Sequence, residues 1–220
     1  NIYTFALPEV ESSEKPYPIL FAVKNTVKKW DILPNTPRKM KIAAAETVVS
    51  LTNPKERISS IVFVPGSTGV YIFGYTELGD FKPSGTPYLY IRNIEHPTFA
   101  TFLNTPCIYN LTFNSTNIMA SSDLEGNLEL FQFNRIDNGG NLNSIKSIKT
   151  DIKVIIIAFS GYNPTCFATT HADNTLKLWN NTTEDYGTAK NKPNTSFKFS
   201  DPVTAIAFCQ KQNYFVTATQ

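Results

Sequence analysis

The sequence predicts an all-β chain built from one repeated unit, and three observations lead to that reading. Short β-branched and aromatic runs recur, clusters of Asn, Ser, Thr, Gly and Pro separate them, and no segment sustains a helical apolar stripe for three turns. Segments 60–63, 110–113, 156–159 and 205–208 all close on phenylalanine, and Phe63, Phe113, Phe159 and Phe208 stand 50, 46 and 49 positions apart. A period near fifty with variable loops marks a repeated supersecondary unit rather than a single sandwich.

Taken in order, the units span approximately 1–55, 56–103, 104–150 and 151–200, with an incomplete fifth at 201–220. In the first, 19–23 and 26–31 form a hairpin around Lys24 and Asn25, and 2–6 is the candidate for its inner strand. The second has strands at 70–75 and 87–91, separated by the long segment 76–86, which reads as tolerated decoration in preference to a contact element. The third runs 118–122, turns through 125–127 and continues at 128–131. The fourth runs 166–170, turns at 172–174 and continues at 175–179, so that the two align residue for residue from Ala120 and Ala168 to Phe131 and Trp179. The units centre on Trp30, Tyr90, Phe131 and Trp179, and the fifth stops before its closing strand. Polar stretches at 135–149 and 180–194 read as exposed, mobile loops.

Alternation explains why such units must gather. Leu176 and Leu178 face one way and Lys177 the other, yet a strand between two sheets can be apolar on both sides. One small sheet cannot bury both faces alone; stacking sheets around an axis covers the faces and protects most edges.

The segment Asp173-Asn174-Thr175-Leu176-Lys177-Leu178-Trp179-Asn180 resembles the end of a WD repeat, where a turn Asp precedes a strand closing on Trp-Asp, and Trp30-Asp31 supplies the literal dipeptide. The resemblance runs from about Pro18 to the C-terminus. It implies a β-propeller of four-stranded antiparallel blades, about four to five of them present, within a ring that in this class has about seven. In that family a turn Asp, a strand Trp, a Ser or Thr and a His form a network that fixes each blade. Asp173 and Trp179 match it; Glu125 and Phe131 hold the equivalent places in the preceding unit, and Lys24 takes the Asp place opposite Trp30.

Composition narrows the function. With 41% hydrophobic residues, ten Tyr and sixteen Phe there is enough apolar surface to build a core, while a net charge of +2 is too small for a dedicated nucleic-acid protein. Cys107, Cys166 and Cys209 are widely spaced in apolar surroundings, which suits free buried thiols, a reducing compartment such as nucleus or cytoplasm, and no metal site. No apolar run approaches a membrane span, and sequons such as those at Asn110 and Asn181 are read as chance. The two histidines, His96 and His171, lack metal-ligand spacing, and His171 near Asp173 reads as a turn hydrogen bond, not an acid/base pair. No catalytic residue, cofactor or small-molecule substrate is expected.

The expected function is a non-enzymatic scaffold that joins other protein subunits in a multi-subunit intracellular complex. The alternative is a nucleic-acid-contacting subunit of a nuclear ribonucleoprotein or chromatin assembly. Its candidate phosphate contacts are Lys24, Lys28, Lys29, Arg38, Lys39 and Lys41, relieved over that span by Asp31 alone, though solvated surface charge is the favoured reading. The aromatic run Tyr71, Phe73, Tyr75, Tyr88 and Tyr90 reads as packed strands in preference to a base-stacking platform.

Overall fold

A computed structural model of the protein describes residues 4–8, 17–32, 45–53, 55–77, 88–96, 100–104, 110–123, 125–180, 192–209, 211–212 and 214–220. These residues contain strands and turns and no helix, so none is long and apolar enough to cross a membrane. Cα packing divides the protein into two compact units, one of Asn1–Tyr109 with Arg135–Asn141 and one of Asn110–Asn134 with Leu142–Gln220.

The first unit holds two four-stranded antiparallel sheets in chain order. One is β1 (Thr4–Ala6), β2 (Tyr17–Val23), β3 (Thr26–Ile32) and β4 (Glu46–Ser50); the other is β5 (Glu56–Phe63), β6 (Val70–Glu77), β7 (Tyr88–Asn93) and β8 (Ala100–Asn104). Within the segment 2–6, Thr4–Ala6 forms the inner strand, pairing with residues 20–22. The tight β2–β3 turn puts Lys24 in the left-handed region at φ 55°, and the Lys24 carbonyl accepts the Ile58 N–H at 3.0 Å, tying that turn to β5. Leu20, Ala22, Val27 and Val49 then bury against Ile58, Ile61 and Phe73, with about 2 kcal/mol gained for each larger apolar group that leaves water.

β9 (Asn110–Phe113), β10 (Ile118–Ser122), β11 (Asn127–Ile136) and β12 (Gly139–Lys149) form one sheet, which belongs to the second unit except for its tip at Arg135–Asn141. A second comprises β13 (Val154–Phe159), β14 (Cys166–His171), β15 (Thr175–Asn180) and β16 (Thr195–Lys198), and β17 (Val203–Phe208) pairs with β18 (Phe215–Thr219). Leu128, Leu130 and Ile148 bury with Val154, Ile157, Phe167 and Trp179.

The four phenylalanines occupy equivalent places. Phe63, Phe113, Phe159 and Phe208 end their strands opposite Tyr71, Met119, Phe167 and Phe215. In each case the next N–H closes the turn onto the carbonyl just ahead of, or opening, the second strand: Val64 to Val70, Asn114 to Ile118, Ser160 to Cys166 and Cys209 to Tyr214, all at 2.9–3.0 Å. Irregular register recurs too, between Ile58 and Ser60, Val154 and Ile156, and Val203 and Ala205, bending each first strand at the same point.

Two sequence expectations are corrected. Residues 135–149 are not a loop: β11 runs to Ile136, and β12 occupies Gly139–Lys149 with Leu142 and Ile148 buried. An outermost strand with one wet face carries too many polar residues to look like a strand. Nor does the second sheet centre on Tyr90. The residue across from Tyr71, in the place held by Trp30, Phe131 and Trp179, is Arg92, while Tyr90 lies across from Phe73. Most of 76–86 and of 180–194 lies outside the described residues.

Candidate functional site

The polar groups of the fourth sheet form a relay of bonds through its interior. Trp179 Nε1–H donates to Thr169 Oγ1 at 2.9 Å, Thr169 Oγ1 lies 2.8 Å from His171 Nε2, and His171 Nδ1 lies 3.3 Å from the Ile152 carbonyl. A carbonyl can only accept, so Nδ1 carries the proton, Nε2 accepts, and the threonine hydroxyl donates to it. Period-two geometry explains the placement: Phe167 pairs with Trp179, and Thr169, two residues on, faces the same side of the sheet as Phe167 and the indole. Burial pushes the His171 pKa down to about 4, helped by the Lys177 charge, so the ring is neutral and structural.

Asp173 stands outside this relay. Its carboxylate accepts from the Thr175 N–H at 3.1 Å and hydroxyl at 2.6 Å and lies 3.7 Å from Lys198 Nζ. Partial burial pulls its pKa up, but the Thr175 bonds and Lys198 outweigh that and the net shift is downward. Asp173 therefore shapes the turn, and Thr169, which sequence reasoning did not single out, is the hydroxyl that meets the indole.

The third and first sheets replace this device. In the third, Phe131 fills the indole place without a polar atom, and Glu125 is exposed at its turn. Buried Asp123, at the position matching His171, holds that turn instead by accepting the N–H groups of Glu125 and Asn127, both at 2.8 Å, and the Asn127 side-chain amide. In the first sheet Phe21 stands where the fourth has Thr169, and it packs on Trp30 with ring centroids 4.5 Å apart; the buried Trp30 indole N–H has no acceptor among the described residues. Asp31 is half exposed and pairs with Lys29 at 3.3 Å.

The candidate phosphate contacts do not form one patch among the described residues. Lys29 also pairs with Glu46 at 3.2 Å; burial pulls its pKa down, but the bonds to Glu46 and Asp31 prevail and raise it. Neighbouring Lys28 points to the opposite face of β3, and Lys24 is exposed on the turn. Arg38, Lys39 and Lys41 lie outside the described residues. Tyr71, Phe73 and Tyr75 are buried in stacked pairs, leaving no open face for a base, and His96 is exposed after β7. Cys166 and Cys209 are free and half-buried, not fully buried. No group of His, Cys, Asp and Glu among the described residues could hold a metal ion.

A pocket of about 280 Å³ lies between the β13–β16 sheet and β17–β18, walled by Phe167, Leu178, Trp179, Phe208 and Phe215. Its lining carries no acid or base apart from Cys166, so it offers apolar contact rather than acid/base chemistry.

Comparison with solved structures places these sheets among known folds. A protein in the crystal structure of a mitotic checkpoint complex superposes with a TM-score of 0.68 at 14% identity, covering 98% of this chain and 57% of that one. The β-propeller domain of Cps50 (Swd1) from Myceliophteria thermophila superposes with a TM-score of 0.72 at 11% identity, covering 99% and 67%. The chain has a β-propeller fold. Its described residues form four four-stranded antiparallel sheets and a two-stranded one, the kind of blade that the WD resemblance implied. The propeller spans little more than half the first of these structures. No family model and no curated protein matches it.

Proposed function

We propose that the protein is a non-enzymatic scaffold that joins protein subunits within a multi-subunit complex inside the cell. One observation carries this reading: among the described residues, the buried and paired polar groups are spent on architecture. His171 bridges Thr169 and a backbone carbonyl, Asp123 and Asp173 hold turns, and Lys29 is shared by two carboxylates. Left outward are turn residues such as Tyr162 and Tyr214, 58% and 54% exposed, which suit contact with another protein surface. The propeller structures described above support the reading, one of them coming from a mitotic checkpoint complex.

Affinity capture from cell extract with the 220-residue protein as bait, before and after nuclease, tests it. A scaffold retains a defined set of proteins that survives nuclease and weakens when Tyr162 or Tyr214 is changed to Asp. Capture that disappears on nuclease treatment points instead to a nucleic-acid contact, which a steep salt dependence of RNA binding then confirms.

A further inference from the structure

We propose that Asn138 is a site of spontaneous deamidation, and that the hydrogen bond from Asn93 holds its rate down. Asn138-Gly139 is the only Asn-Gly pair in the sequence, and it lies where β11 turns into β12. The reaction needs no partner but water. The Gly139 backbone nitrogen attacks Cγ of Asn138, a ring C–N bond forms, the Cγ–Nδ2 bond breaks, and ammonia leaves with the displaced proton. Water then opens the cyclic imide to aspartate or to isoaspartate. Glycine favours the attack because no Cβ crowds its nitrogen.

The sequence and the exposure of Asn138 favour the reaction; the first unit supplies the restraint. Asn138 is exposed at its turn, and the preceding Asp137 is in the left-handed region at φ 37°. The Asn138 carbonyl accepts the Asn93 Nδ2–H at 2.6 Å. Asn93 is itself held: it is buried, and its Oδ1 accepts the Glu95 N–H at 2.9 Å. Rotation about the bond between Cα and the carbonyl of Asn138 is the motion that carries the Gly139 nitrogen toward Cγ, and the same rotation swings the carbonyl oxygen. An acceptor pinned by a buried amide therefore resists the geometry of attack, and reaction must wait for that bond to open.

The product changes the turn. Isoaspartate inserts a methylene into the backbone of a two-residue connection and places a carboxylate beside Asp137, both of which oppose re-formation of the Asn93 contact.

The test incubates the unaltered protein at neutral pH under native conditions and in urea, alongside a synthetic peptide of residues 136–146, the segment trypsin releases. Mass spectrometry follows amide-to-acid conversion at Asn138. The native protein is expected to convert at Asn138 more slowly than the peptide, urea to erase the difference, and Asn93→Ala to speed native conversion about fivefold, which is what one hydrogen bond of ordinary net strength is worth. Conversion of the native protein at the peptide's rate overturns the proposal, as does a folded Asn93→Ala variant no faster than the unaltered protein. Should that variant fail to fold, the native-against-urea comparison decides alone.

Discussion

The Trp179 indole donates to the Thr169 hydroxyl at 2.9 Å, and among the described residues nothing equivalent serves Trp30, whose N–H is buried beside Phe21 without an acceptor. Two tryptophans at the same position of two sheets thus contribute differently. Trp179→Phe is expected to cost about 2 kcal/mol, because the bond is lost and the buried Thr169 hydroxyl is left without its donor. Trp30→Phe is expected to stay within about 1 kcal/mol of the unaltered protein, because removing an orphaned donor offsets the lost ring area. Urea unfolding of both variants measures this; equal losses would falsify the distinction.

His171 makes stability depend on pH. Its folded pKa, about 4, lies below the ordinary 6.5, so the unfolded state binds the extra proton more readily. The contribution is full above 6.5 and is lost as pH falls from there toward 4. Protonation also removes the acceptor that the Thr169 hydroxyl uses. Thermal melts are expected to fall across that window and to fall less steeply in His171→Gln; parallel curves would remove His171 from the explanation.

Two glycines in the left-handed region separate backbone strain from crowding. Gly66, at φ 67°, has nothing within 4 Å of an added Cβ, and Gly66→Ala is expected to cost about 1 kcal/mol for the conformation alone. Gly126, at φ 90°, would drive its Cβ to 2.5 Å from the Ile152 carbonyl, and its own carbonyl accepts the Thr150 hydroxyl at 2.7 Å. Gly126→Ala is expected to cost about 3 kcal/mol or more. Denaturant midpoints of the pair check the ordering.

Asn110 is a structural amide. Its Nδ2 donates to the Ile155 carbonyl at 3.0 Å and to Ser122 Oγ at 3.2 Å, beside the irregular register of β13. Asn110→Asp turns a donor into a carboxylate facing a carbonyl and is expected to cost about 3 kcal/mol; Asn110→Ala, which merely leaves the carbonyl unserved, about 1–2 kcal/mol. Equilibrium unfolding that ranks alanine as the worse change would show the amide is not acting as a donor.

The repeat was legible because its signals are local. Each phenylalanine ends a strand before a turn, and the turn residues, Asn25, Gly126 and Asn174 among them, advertise themselves by chemistry. Thr169 was not legible, since a threonine in a strand reads as a β-former whether or not its hydroxyl has work. Arg92 was missed for another reason. The long segment 76–86 removes the short turn that would set the register of β7, and the tyrosines nearby draw attention to Tyr90.

By itself the sequence determined the period near fifty and the inner and middle strands of each unit, though not outer strands such as β12, since alternation and turn preference act between residues a few positions apart. Tertiary structure alone decided that Trp179 meets Thr169, that Asp123 takes over the turn in the third sheet, and that Asn93 reaches Asn138 across 45 positions. Those partnerships depend on pairing register and on the approach of distant segments, and a one-residue slip in register would turn each of these groups to the opposite face.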